Sequence, residues 1–345
     1  MDVKGGMGRA AVVAADMVDD RVDTMRAIVR DRYGTADVLR LREIARPRPK
    51  AGQVLVRVRA ASLFAGDIFV IRGRPILLRL TTGLLRPRVV VPGTDVAGVV
   101  EDVGDGVTDL RPGDEVFGWS AGTLAEYVCD GADHFVHRPP GLPLEQAAAV
   151  PETAMTALQG LRDAGRVGPG HSVLVIGASG GVGTFAVQVA KALGAEVTGV
   201  CRGRNTELVR AIGADHVIDY TQVDLEAIDD RYDVILQVAG TAAPGRLRRL
   251  LTRGGTLVLS SGQGRLNGTD RIVKALVTSP FVSQRLVTFV TRENREDLLA
   301  IRELIEAGQV TPVIDRTYTL AEAADAVRYV GEGHSRGKVL ITVGA

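Results

Sequence analysis

A chain of 345 residues is long enough for two domains, each able to bury a core of its own. Its 42 basic and 41 acidic side chains nearly cancel, so no global field draws in nucleic acid or an anionic membrane, and neither is expected as a partner. The two cysteines, Cys129 and Cys201, exclude a disulfide framework and a four-thiolate zinc site, and they fit a reducing, cytoplasmic setting.

Residues 1–24 carry small side chains and several aspartates (Asp2, Asp16, Asp19, Asp20, Asp23) and lack the apolar core of a signal peptide, so they are read as a flexible tail. From 25 to about 150, strands are expected at Ala27–Val29, Gln53–Ala60, Asp95–Glu101, Asp114–Phe117 and Leu124–Val128, parted by turn clusters such as Arg111-Pro112-Gly113-Asp114. Val54, Val56 and Val58 alternate with the period of a half-buried strand. The pattern changes at Pro143, with helices expected over Leu144–Val150 and Thr153–Arg162. Strands and helices then alternate: strand Ser172–Ile176, helix Gly181–Leu193, strand Glu196–Val200, helix Thr206–Ile212, strands His216–Ile218 and Asp233–Val238, helix Pro244–Leu251, strand Thr256–Ser260. Such alternation specifies parallel βαβ units, and the apolar runs Val173–Ile176 and Val234–Leu236 suit a sheet covered on both faces; neither run is long enough to span a bilayer. Helix Asn294–Ala307, strand Val313–Tyr318, helix Leu320–Val330 and strand Lys338–Val343 complete the chain.

Val173-Leu174-Val175-Ile176 runs straight into Gly177-Ala178-Ser179-Gly180-Gly181-Val182-Gly183, and an apolar helix follows. A glycine triplet alone is an ordinary turn. Between a buried strand and a helix start it is a dinucleotide loop: the turn must be tight, the backbone must approach a pyrophosphate, and the helix must pack on the strand. Folds that select NAD put a carboxylate at the end of the second strand, where it holds the ribose hydroxyls. Here that strand ends in Cys201-Arg202-Gly203-Arg204, with no acid in it. Two arginines there suit a 2′-phosphate, so NADPH is the expected cofactor; solvated loop charges are the alternative.

Five further stretches carry a resemblance: Gly93-Thr94-Asp95-Val96-Ala97-Gly98, Arg111–Phe117, Ala147-Ala148-Ala149-Val150-Pro151, Gly213–Tyr220 and Gly337-Lys338-Val339. With the glycine loop, they make residues 25–343 resemble the medium-chain dehydrogenase/reductase superfamily, in particular its zinc-free quinone oxidoreductase branch. The resemblance implies an α/β chain with a GroES-like β domain over 25–150 and 290–345, to which the last strand returns. It also implies a Rossmann domain with a doubly wound parallel sheet over 151–289, nicotinamide between the two, and a homodimer. Carried over by position, Thr156 matches a threonine near the nicotinamide and Tyr220 an aromatic near the adenosine phosphate. Ala239 and Gly240, and Ser260, Ser261 and Gly262, match loops at the sheet's carboxyl end. Phe289 matches the segment that meets the carboxamide. Gly177, Ser179, Gly180, Gly181, Val182, Gly183, Cys201, Arg202, Arg204 and Lys338 complete the expected cofactor set. For Tyr220 and Phe289 simple packing is the alternative.

Zinc-dependent relatives of this kind place a cysteine where Phe64 stands and a His-Glu pair where Thr94-Asp95 stands, so no metal is expected. Quinone reductases often carry Asn-x-x-Asp-x-Tyr; the matching residues here are Phe64, Asp67 and Phe69. Gln237 stands where many relatives have an acid. A more apolar substrate pocket is expected, lined by Phe64, Phe69 and Trp119. Asp67 is the candidate catalytic group, with a structural role at the strand-to-helix turn as the alternative. The expected activity is NADPH-dependent hydride transfer to an activated C=C bond or a quinone of a small-molecule substrate that is large and apolar, with drift in a promiscuous pocket as the alternative reading of the phenylalanines; the rival is the same fold kept for a non-redox role. The apolar and basic stretch Arg74–Arg88 is read as a lid or cleft wall, with a membrane-surface role as its alternative.

Overall fold

The computed structural model describes residues 23–225, 228–260 and 283–344. The tail 1–22 and the site residues Ser261 and Gly262 therefore lie outside the described residues. Thr24, read with the tail, is instead the first residue of a strand.

The strands, in chain order, are β1 (Thr24–Val29), β2 (Arg40–Ala45), β3 (Gln53–Leu63), β4 (Asp95–Val103), β5 (Glu115–Trp119), β6 (Tyr127–Gly131), β7 (Phe135–His137), β8 (Ser172–Ile176), β9 (Glu196–Cys201), β10 (His216–Asp219), β11 (Tyr232–Gln237), β12 (Leu251–Leu259), β13 (Arg285–Thr288), β14 (Ile314–Thr319) and β15 (Lys338–Thr342). One sheet has the order β14-β15-β3-β4-β5-β7, with β6 also paired to β3. It is antiparallel except at β14–β15. Val54, Val56 and Val58 are buried on β3 while Arg57 and Arg59 stay outside, the alternation that the sequence carries.

The second sheet is parallel throughout, in the order β10-β9-β8-β11-β12-β13. The chain runs outward from β8 in one direction and from β11 in the other, so the switch point lies between them. Helix Gly181–Ala192 packs Phe185, Val187 and Val189 into the core against it. One apolar cluster joins Ala60, Ala97 and Phe117 of the first sheet to Val173, Val175 and Leu236 of the second. Leu298 and Ile301 of helix Arg295–Glu306 bury in that same cluster. Burying each large side chain of this kind contributes roughly 1.5–3 kcal/mol.

Several expected elements are displaced. The strand expected at Leu124–Val128 begins at Tyr127, because Leu124 and Ala125 cross to β1 as a bridge: Ile28 N donates to Leu124 O at 2.8 Å, and Ala27 faces Ala125. Of the helix expected over Leu144–Val150, only Leu144–Ala147 is α-helical, since Pro151 opens a new helix. That helix ends at Leu158 and widens into a π-helical turn, Gln159–Gly165, where the expected one ran to Arg162. The missing side chain of Gly160 lets the Phe289 ring and Leu236 press in. The helix expected to reach Leu251 stops before it, and Leu251 starts β12. The one expected from Leu320 opens with a 3₁₀ turn before Ala323–Gly331.

Candidate active site

The glycine loop stands at the switch point. Gly177 has φ +93°, and a Cβ there would lie 2.6 Å from the Ala239 Cβ; Val238 N and Ala239 N both donate to Ile176 O, at 3.1 and 3.3 Å. The loops after β8 and β11 are thus pressed together, and only glycine fits. A Cβ on Gly183 would run into the Gly177 carbonyl oxygen, so this glycine sets the closeness of helix to strand. Gly180 differs: a Cβ there would meet only Gly177 O, at 3.5 Å. It caps helix Gly181–Ala192 with no side-chain acceptor. The first turn of that helix thus opens on the loop with no side chain of its own to accept from it, and an anion fits there.

Beside this loop, β9 ends in buried Cys201, whose thiol burial pushes up to about 11, followed by exposed Arg202 and Arg204. The chain segment holds no acid, but the fold supplies one. Asp219, at the end of β10, faces Cys201 across the sheet and accepts from Thr221 N at 3.0 Å and Thr221 Oγ1 at 2.8 Å. Those donors, the Gly203 amide and Arg202 hold its carboxyl below the usual range. Arg202 therefore has an acid beside it, against the sequence reading; parallel pairing brings in a residue that linear spacing cannot show. Asn205, also buried, donates from Nδ2 to Ser179 Oγ at 2.9 Å and leaves its Oδ1 without a partner. A buried acceptor in need of a donor beside an open glycine loop fits a hydroxylated, phosphorylated ligand. Tyr220, half exposed, borders a cavity of about 470 Å³ with Thr241, Ala242 and Arg246.

The first sheet meets the loop directly. Gly337 N donates to Ser179 O at 2.9 Å, Gly337 bridges to Gly180, and the Lys338 Cδ lies 3.3 Å from where a Cβ of Gly181 would stand. Lys338 Nζ pairs with Asp95 Oδ2 at 2.9 Å, and neither side chain is exposed. Asp95 also accepts from Ser62 Oγ and from Glu152 N, both at 2.9 Å. One carboxylate thus ties β3, β4, β15 and helix Pro151–Leu158 together.

Two more acids crowd this junction. Burial, then the nearby Asp95 charge, pushes the Glu152 carboxyl up to about 8, and its Oε2 has no partner. Burial likewise pushes Asp67 up to about 7, although Phe64 N donates to its Oδ2 at 3.0 Å. That bond caps helix Ala65–Arg72, so Asp67 does hold the strand-to-helix turn. Burial also raises the Glu293 carboxyl. Thr156 Oγ1 donates to Glu152 O at 2.7 Å and lies 2.7 Å from Thr291 Oγ1. Phe64 lies with its ring centroid 5.2 Å from Lys338 Nζ, and it and Phe69 are half-buried. Trp119 is buried and stacks on His134 with centroids 5.0 Å apart.

Sequence reasoning passed over Glu152, Glu293, Asn205 and Asp219. Glu152 had a visible signal: it is the one charged residue in the apolar run from Ala147 to Leu161. Among the described residues, no group of three or more His, Cys, Asp or Glu is placed to hold a metal.

The comparisons agree with this architecture. The profile of the family described as "Alcohol dehydrogenase GroES-like domain" matches residues 50–142, and that described as "Zinc-binding dehydrogenase" matches 212–341. The chain is 35% identical to the mitochondrial NAD(P)H oxidoreductase RTN4IP1 of Mus musculus, over 94% of this chain and 90% of that protein. It is 33% identical to the chloroplastic NADPH-dependent alkenal/one oxidoreductase of Arabidopsis thaliana, over 92% of this chain and 79% of that one. The solved quinone oxidoreductase from Coxiella burnetii superposes with a TM-score of 0.82 at 29% identity, covering 93% of this chain and all of that one. With a GroES-like sheet, a doubly wound parallel sheet and a glycine loop at the switch point, this chain belongs to the medium-chain dehydrogenase/reductase superfamily.

Proposed function

We propose that this protein is an NADPH-dependent reductase of activated C=C bonds or quinones, acting on apolar substrates. The observation that carries the reading is the junction where the open glycine loop meets Gly337-Lys338, with Glu152 and Thr156 tied in beside the buried Lys338–Asp95 pair. Bound here, a reduced nicotinamide supplies a hydride. The chain's own residues do the rest. Gly177–Gly183 and the first turn of the helix hold the pyrophosphate, and Arg202 and Arg204 hold a 2′-phosphate. Thr156 orients the ring. Glu152 keeps a proton at its unpartnered Oε2 near neutral pH, in position for the oxygen or carbon that gains charge. Phe64 and Phe69 offer apolar surface and no hydrogen bond, which favours a greasy substrate. The relatives named for NAD(P)H, alkenal and quinone chemistry support the reaction class.

Zinc has no part in this reading, because phenylalanine and threonine occupy the ligand positions, so dialysis against a chelator leaves the rate unchanged. The reading itself is tested by loss of NADPH absorbance with a panel of quinones and enones. Turnover with a bulky apolar enone or quinone supports it; NADPH binding with no turnover on any member overturns it.

A further inference from the structure

From Ile68 to Thr94 the chain carries Arg72, Arg74, Arg79, Arg86 and Arg88 and no acidic residue, in a protein whose charges otherwise nearly cancel. Within that stretch a 3₁₀ turn, Ile76–Leu78, and one helical turn, Arg79–Thr82, lead into a loop. One side of the segment is tied down. The Tyr33 hydroxyl donates to Gly83 O at 2.6 Å and lies 2.9 Å from Thr82 Oγ1. Arg79 sits 4.5 Å over the Tyr33 ring and donates to Gly73 O at 3.0 Å. Arg88 N closes the loop onto Thr82 O at 2.8 Å.

The other side is apolar and open. Ile76, Leu77, Leu80, Leu84 and Leu85 are exposed by 73, 64, 63, 63 and 86%. With Val90 they make up six of the ten large apolar side chains exposed among the described residues. Arg74, Arg86 and Arg88, in the same segment, are exposed as well. A patch that leaves this much apolar surface in water, on a backbone anchored from behind, is built to meet something.

We propose that this face docks on the surface of an anionic lipid bilayer. Leucines on a fixed turn enter the acyl boundary, and the arginines beside them meet headgroup phosphates; neither signal alone gives stable attachment, and the patch has both. A second copy of the chain fits less well. A symmetric dimer through this face would set arginines against arginines, with no acid in the patch to answer them. The inference does not depend on the reaction proposed above.

The test is co-sedimentation of the full chain with vesicles of phosphatidylcholine alone, and of phosphatidylcholine with phosphatidylglycerol in equal parts, with light scattering in parallel. Two surface variants are compared, Leu84→Ser with Leu85→Ser, and Arg86→Ser with Arg88→Ser. The wild type is expected to bind the mixed vesicles and not the neutral ones, and to be released by high salt. Each double variant is expected to lose about tenfold or more, as each arginine near such a surface contributes roughly a factor of five. Both should melt at the wild-type temperature. Equal behaviour on the two vesicle types, or unchanged binding in both variants, overturns the proposal. So does a wild-type dimer that the leucine variant splits without any vesicle binding, which would place a second copy on the patch.

Discussion

At the scale of single residues, the buried carboxyl of Glu152 is the group to test. Glu152 is held up to about 8 by burial, whereas an unfolded chain has its glutamates near about 4.3. As pH rises, the unfolded state releases this proton first. The stability that the neutral carboxyl contributes is therefore full below about pH 4 and is lost progressively up to about pH 8. Glu152→Gln removes that titration. The melting temperature of the variant should gain on the wild type between about pH 5 and 8 and hold a constant gap above; a gap independent of pH throughout would mean the carboxyl is ionised in the fold. The same variant should lower kcat by about a hundredfold and remove the alkaline fall of its pH profile near 8, with NADPH affinity unchanged. Arg202 carries a second prediction. Arg202→Ala should weaken NADPH about tenfold in calorimetry and leave NADH nearly unmoved, since only NADPH offers a 2′-phosphate to a charge-assisted hydrogen bond. Asp219→Asn should do the reverse, tightening NADPH, because it removes the acid that Arg202 now faces. The two residues differ in how they could be found: Arg202 follows from spacing along the chain, whereas Asp219 reaches it only through the pairing of β9 with β10.

At the scale of elements, the strand–loop–helix unit was the most legible part of the chain. Ser172–Ile176 matches the expected strand end to end, and the helix from Gly181 ends one residue short of expectation. Its periodicity, glycines and buried strand all point the same way. β2, the three-residue β7 and the later β13 were not expected. β2 is mostly exposed and lacks an apolar face, and β13 is only four residues long. The π-helical turn at Gln159–Gly165 was equally hidden. It depends on Gln159 bonding Arg292 and Asp297, partners more than a hundred positions away. The glycine loop allows a paired test. Gly183→Ala drives a methyl into the Gly177 carbonyl and should cost about 1–3 kcal/mol in urea unfolding as well as cofactor binding. Gly180→Ala has φ −88° and open space, so stability should change by less than about 1 kcal/mol while NADPH affinity falls. If Gly180→Ala binds NADPH normally, the open face of the loop is not where the phosphates lie.

At the scale of the whole molecule, the two-sheet division was legible because alternating strands give way to alternating βαβ units. What lay beyond the sequence is how the sheets meet. Gly337 reaches Ser179 and Gly180 across more than 150 positions, and no local pattern reports such a contact. The junction is pinned by a buried ion pair, Lys338 with Asp95, and that makes a sharp stability prediction. A buried pair contributes little over well-packed apolar groups, because desolvation offsets the attraction, but losing one partner leaves a bare charge inside. Lys338→Met should therefore cost about 3–5 kcal/mol, since Asp95 would keep its bonds to Ser62 and the Glu152 amide but lose its counter-charge. Adding Asp95→Asn to Lys338→Met removes the stranded charge, while the amide oxygen can still accept from a neighbouring donor. The double variant should recover most of the loss, so the two changes must couple strongly and favourably in a double-mutant cycle of urea unfolding. Additive costs would show instead that Lys338 acts by packing its stem on Gly181 and Phe64. The junction would then be held by shape, and the charge at Asp95 would be free of its partner in energetic terms.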